Sequence, residues 1–167
     1  FLKMGGMPLI AYRSLPKSII RSVRKNFQVK MKLETFSNQQ QGERRLDELL
    51  AENKVVGVQA SVYWLPYFPE DMRFHFNAHN LLVFGREGEE YHVSDPVFEH
   101  PMKCARDAMT KARFAKGAMA PKGLLYYITE APEEIEVKSL IRKSIKKTAK
   151  SMLKTPVPVA GLKGIEA

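Results

Sequence analysis

Among the side chains able to do acid–base chemistry, His79 and Asp95 have the spacing that says most. They bound two apolar runs, His79–Gly85 (HNLLVFG) and Glu89–Asp95 (EEYHVSD), that flank Arg86-Glu87-Gly88. A three-residue hairpin loop takes its left-handed residue last, and glycine supplies that conformation at least cost. The expected register then sets Gly85 opposite Glu89, Val83 opposite Tyr91, Leu81 opposite Val93 and His79 opposite Asp95. Side chains alternate with period two, so His79, Leu81, Val83, Tyr91, Val93 and Asp95 share one face. Directly opposed residues hold their Cβ atoms about 4.5–5.5 Å apart. An imidazole that close to a carboxylate, at the rim of an apolar face, is the base and orienting acid of a nucleophilic triad. The same pair can equally be a hydrogen-bonded closure of the hairpin. These residues alone leave both readings open.

Other reactive side chains fit less well. Cys104 follows both partners and lies on an Ala-rich stretch, where a buried thiol acts as a small hydrophobe. His75 lies between Phe74 and Phe76 in a loop, His92 on the more polar hairpin face, and His100 beside Pro101. The four histidines and Cys104 lack zinc-ligand spacing, so no metal or other cofactor is expected. The Trp64–Pro69 loop (WLPYFP) reads as a lid on the core or as one wall of a substrate cleft, with Trp64 and Tyr67 as the cleft candidates.

The elements that must position this pair follow from periodicity. Val55–Trp64 is β-branched, aromatic and short, hence a buried strand. Earlier, Ile19, Ile20, Val23 and Phe27 recur at helical spacing after Ser14 and Pro16, which suit a cap and a first turn. Phe27–Phe36 alternates, with Phe27, Val29, Met31 and Leu33 expected on the buried side. Glu43–Asn53 carries Leu46, Leu49 and Leu50 on one helical face. Val97–Met102 reads as loop, Cys104–Ala115 as helix, and Gly123–Thr129 as strand. A last helix is expected from Glu133 to Lys154, its first acids complementing the dipole. Gly5-Gly6 and Pro8 mark a turn near the start, and 157–167 reads as the opening of a further element. The fold class expected is α+β: an antiparallel sheet with helices packed on it.

At 167 residues the chain holds one domain with a real core. No run approaches the ~18 apolar residues of a membrane span. One cysteine excludes an internal disulfide and fits a cytoplasmic compartment. Of the net charge of +9, seven cations lie between Lys138 and Lys154 with no acid among them, leaving +2 for the rest. That basic helix is a solvated face, or a surface for an acidic protein, an anionic membrane or nucleic acid.

The strings YWLPYF, HNLLVFG and YHVSDP together resemble the amino-terminal domain of the butirosin biosynthesis protein H family, itself similar in fold to papain-like thiol peptidases and bacteriocin-leader-processing peptidases. The Gly-containing segment before Arg13, the CARDAMTKARFAKG stretch and the tail from Ile141 to GLKGI are similar to further parts of that family. The resemblance implies the sheet half of a papain-like thiol hydrolase over residues 1–132, then a basic helix and the start of a second domain over 133–167. It also implies a Cys-His-Asp acyl-transfer site, with His79 as base and Asp95 as orienting acid. The family's cysteine would fall before Phe1, so the chain as given is expected to be inactive. The expected donor is an acyl group on an acidic acyl carrier protein, and the acceptor a small amine. Two other readings stand beside it: a non-catalytic module that keeps the His–Asp hairpin for structure, and a binder of nucleic acid or anionic surfaces. The stripe of Val137, Leu140, Ile141, Ile145 and Met152 needs burial, by a further domain or by a second copy in a homodimer.

Overall fold

The structure is a computed structural model that describes residues 3–4, 7–8, 18–156 and 161–162. In chain order these form β1 (Lys3–Met4), β2 (Met7–Pro8), α1 (Ser18–Phe27), β3 (Lys30–Glu34), α2 (Gln39–Ala51), β4 (Val56–Ala60), β5 (His79–Glu87), β6 (Glu90–Ser94), β7 (Met102–Ala105), α3 (Arg106–Arg113), β8 (Leu125–Glu130) and α4 (Val137–Lys154). Short 3-10 turns at Val62–Trp64 and Glu70–Met72 shape the loop before β5. The fold is α+β. The chain divides into two compact units, Lys30–Glu130 and a second of Phe1–Val29 with Ala131–Ala167. The expected turn at Gly5-Gly6, the cap at Ser14 and Pro16, and most of 157–167 lie outside the described residues.

The Lys30–Glu130 unit is a six-stranded antiparallel sheet in the order β3-β8-β4-β5-β6-β7. Leu46 and Leu49 of α2 and Met109 and Ala112 of α3 pack on one face, against Val56, Val58, Leu81, Val83, Tyr91, Val93 and Leu125. β4 is buried along its whole length because the helical layer covers one face, and Tyr126 at Gly57 and the Asn77 and Met119 carbonyls at Gln59 cover the other. On the other face Tyr126 lies over Gly57, where a Cβ would come within 1.9 Å of the ring. Only glycine admits that approach.

The hairpin departs from the expected register. Glu87 pairs with Glu90, so the loop has two residues, and Gly88 takes the left-handed position with φ +56. Two-residue loops of the primed kind accept glycine first, and their twist matches that of the flanking strands where unprimed turns would splay them. Beyond the turn, Gly85 pairs with His92 but Val83 with Val93, so Phe84 is the extra residue of a bulge. Val83 therefore faces Val93 rather than Tyr91, and His79 pairs with Ala60 of β4. A turn shortened by one residue would have reversed every side chain between the faces, and the bulge restores them. Leu81, Val83, Tyr91, Val93 and Asp95 are all buried, as alternation requires.

Three further expectations are corrected. Cys104 begins no helix; it lies in β7, paired with Tyr91. Four residues are too few to carry a period, and only the open edge of β6 makes them a strand. In β3, Leu33 is exposed and Glu34 turns inward, because Glu34 accepts from the Tyr127 hydroxyl at 2.8 Å and pairs with Arg45. A left-handed Gln28 (φ 55) and a register shift at Lys30/Met31 break the alternation that began at Phe27. The last helix starts at Val137 without an acid in its first turn, so Glu133 and Glu134 do not serve its dipole. By contrast, α2 begins earlier than its leucines suggest, capped by Asn38, whose side chain accepts from Gln41 N–H at 3.0 Å.

Candidate functional site

His79 opens β5, and Asp95 follows β6 at the start of Asp-Pro-Val-Phe. Aspartate first and proline second are the preferences of a tight turn. The chain makes one, with Phe98 N–H donating to Asp95 O at 3.1 Å. Within it the Asp95 Oδ1 accepts the Val97 N–H at 3.0 Å, an Asx turn that fixes the carboxylate's orientation. The other oxygen, Oδ2, meets His79 Nε2 at 2.7 Å and the Tyr67 hydroxyl at 2.9 Å. With Leu82 paired to Ser94 in place of the expected register, His79 and Asp95 are diagonal rather than direct neighbours, and the two side chains span that diagonal.

The pair is dry on one side and open on the other. Asp95's side chain is 0% exposed and that of His79 11%. Phe68 meets the imidazole edge-on with ring centres 5.7 Å apart, and Phe98 packs on Phe68 and Tyr67. Burial alone would raise the Asp95 pKa. The hydrogen bonds from His79, the Val97 N–H and Tyr67 outweigh it and hold the carboxyl below the usual aspartate range. Burial, followed by the neighbouring carboxylate, pushes the Tyr67 phenol well up, so it stays a donor. An ionised Asp95 can only accept, so Nε2 carries the hydrogen. Nδ1 is then the basic nitrogen, and among the described residues it has no hydrogen-bond partner.

The family described as butirosin biosynthesis protein H, N-terminal, matches residues 1–96, more than half of the chain, and takes in Tyr67, Phe68, His79 and Asp95. The chain belongs to that family. A domain of unknown function, DUF4872, matches residues 107–167, and so begins inside the compact Lys30–Glu130 unit. No curated protein matches the chain. A solved structure described as a C39-like peptidase from Bacillus anthracis is similar over 67% of this chain and 57% of its own, with 14% identity and a TM-score of 0.46. The chain thus spans little more than half the length of that protein.

For this butirosin H-type chain, the remaining candidates separate from the pair. Cys104 is fully buried, and burial first, then Asp107 and Glu90, push its thiol up to about 12. Its Sγ donates to the carbonyl of Ala105. His75 stacks on Tyr63, ring centres 4.0 Å apart, and His92 lies 3.6 Å from Glu87. His100 is in an exposed loop. Trp64 and Tyr67 do not share a wall. Trp64 lines a groove of about 460 Å³ with Tyr63, Pro66, Glu70, Arg73 and Lys111, whereas Tyr67 turns its hydroxyl to Asp95. Neither His79 nor Asp95 lines that groove. Among the described residues no cluster of His, Cys, Asp and Glu could hold a metal ion, and no helix is long and apolar enough to cross a membrane.

Sequence reasoning missed Phe68 and Phe98 as walls of the pair, and the Val97 N–H as a third donor to Asp95. The Asp-Pro dipeptide was a readable signal for the last. The two phenylalanines carry no local signal, since loop aromatics pack wherever the tertiary fold takes them.

Proposed function

We propose that this domain supplies the base and orienting acid of a thiol-dependent acyl transfer or the related amide hydrolysis. The observation that carries the reading is the bond from His79 Nε2 to the buried Asp95 Oδ2, which leaves Nδ1 as the proton acceptor. A cysteine other than Cys104 attacks the acyl carbonyl. The Sγ–C bond forms as the thiol proton passes to His79 Nδ1, and the leaving group departs with that proton. The acceptor, an amine or water, then gives a proton to Nδ1 as it attacks the thioester carbonyl, and Nδ1 passes that proton to the departing thiolate. Asp95 stays ionised throughout, holding the tautomer and stabilising the imidazolium. Membership of the butirosin H family supports an acyl group carried by an acidic carrier protein as donor and a small amine as acceptor. Fold membership alone does not fix the reaction.

The test is His79→Ala in a protein that carries both this domain and its cysteine. Turnover of an acyl-thioester donor is expected to fall to background while the circular dichroism spectrum stays native. Unchanged turnover in that variant overturns the assignment.

A further inference from the structure

We propose that Tyr67 is a positioning residue of this site: by donating to the same carboxylate oxygen that His79 uses, it sets the basicity of Asp95 and, through it, that of His79. The inference rests on the proposed roles of His79 and Asp95, and it concerns how the base is tuned rather than what it attacks.

The aromatic ring of Tyr67 packs on Phe68 and Phe98, with centres 5.3 and 5.5 Å away. A phenylalanine would fill that space equally well. What distinguishes the tyrosine is its hydroxyl, and that hydroxyl reaches Asp95 Oδ2 at 2.9 Å. An oxygen of this kind has two lone pairs, and His79 and Tyr67 occupy both, while Val97 N–H occupies the other oxygen. The Asp95 side chain is out of contact with water, so no solvent molecule takes over from a lost donor at its surface. In such surroundings each hydrogen bond to the anion is strong and draws charge toward its donor. Charge drawn to Tyr67 is charge that no longer favours an imidazolium at His79. The hydroxyl therefore weakens the pull of Asp95 on an imidazolium at His79.

Few other groups compete for this control. Tyr67 and the Val97 N–H bond Asp95 directly, and Cys104 of β7, near enough to act on Tyr67, carries a thiol that burial keeps protonated. β4 brings Ala60 opposite His79, and the surrounding loops bring Phe68 and Phe98.

The test is a ring-nitrogen NMR titration of His79 in the full 167-residue chain and in Tyr67→Phe. The His79 midpoint is expected to rise by roughly half a pH unit or more in the variant, with the hydrogen remaining on Nε2 in the neutral form. In an Asp95→Asn background, Tyr67→Phe is expected to leave the midpoint in place. An unchanged or lowered midpoint in the otherwise native chain overturns the proposal, as does an equal rise when Asp95 is absent. If Tyr67→Phe does not fold, 3-fluorotyrosine placed at position 67, a stronger donor of the same shape, is expected to lower the midpoint, and no movement overturns the proposal. These readings need no turnover. Activity retained by His79→Ala would sink the catalytic reading while leaving the titration result standing.

Discussion

His79 is paired in the sheet with Ala60, not with Asp95, and still holds Nε2 2.7 Å from Asp95 Oδ2. The bond crosses a diagonal of the observed register, in which Leu82 pairs with Ser94. Phe84 is the unpaired residue of the bulge, so deleting it leaves Gly85–His92 and Val83–Val93 as successive pairs and keeps Leu81 and His79 on their face. That variant is expected to unfold cooperatively in urea with the His79 ring resonance near its native position. Loss of the cooperative transition would show that the ladder cannot close without the bulge.

Asp95 makes part of the stability depend on acid. Its pKa in the fold lies below the ordinary value, so it contributes stability above the unfolded pKa of about 3.9. That contribution is lost as pH falls through the folded value. As pH falls from about 5 to below the unfolded value of about 3.9, urea midpoints of the native chain are expected to fall more steeply than those of Asp95→Asn. Parallel slopes would contradict the assignment of the three donors.

Gly57 and Tyr126 form one unit of packing. A methyl at position 57 meets the Tyr126 ring at 1.9 Å, so Gly57→Ala is expected to destabilise by about 1–3 kcal/mol. In a Tyr126→Ala background the same change has room and is expected to cost much less. Additive costs in the double-mutant cycle would mean that the ring moves aside freely.

Cys104 is expected to be unreactive in the folded chain. With a pKa near 12 and no exposed surface, it presents almost no thiolate at pH 8. An aromatic disulfide reagent should label it only at the rate of unfolding. Rapid labelling under native conditions would return Cys104 to the list of nucleophile candidates.

The helix α4 has no buried residue, and Val137, Ile141, Ile145 and Leu153 are exposed beside seven cations that repel one another. Packing supplies most helical stability, so α4 is expected either to mediate self-association or to exchange its amides faster than β5. Sedimentation combined with hydrogen exchange decides. A monomer whose Leu140 and Ile145 amides exchange as slowly as Val83 would contradict this.

The sequence by itself determined which residues of the hairpin share a face and that β4 is buried. Those features depend on the pattern within one strand, so they are local. It also carried the family strings that place His79 and Asp95 together. The tertiary structure alone decided the register, because a strand cannot specify from within which neighbour's carbonyl it will meet. Hence the bulge at Phe84, the pairing of His79 with Ala60 and the edge strand holding Cys104 had to be seen. Leu33 and Glu34 exchange their expected sides for the same kind of reason: the partners of Glu34, Tyr127 and Arg45, lie 93 and 11 residues away. Tyr67 reaches Asp95 across 28 residues of chain. No spacing rule links them, and only the folded sheet brings their oxygens together.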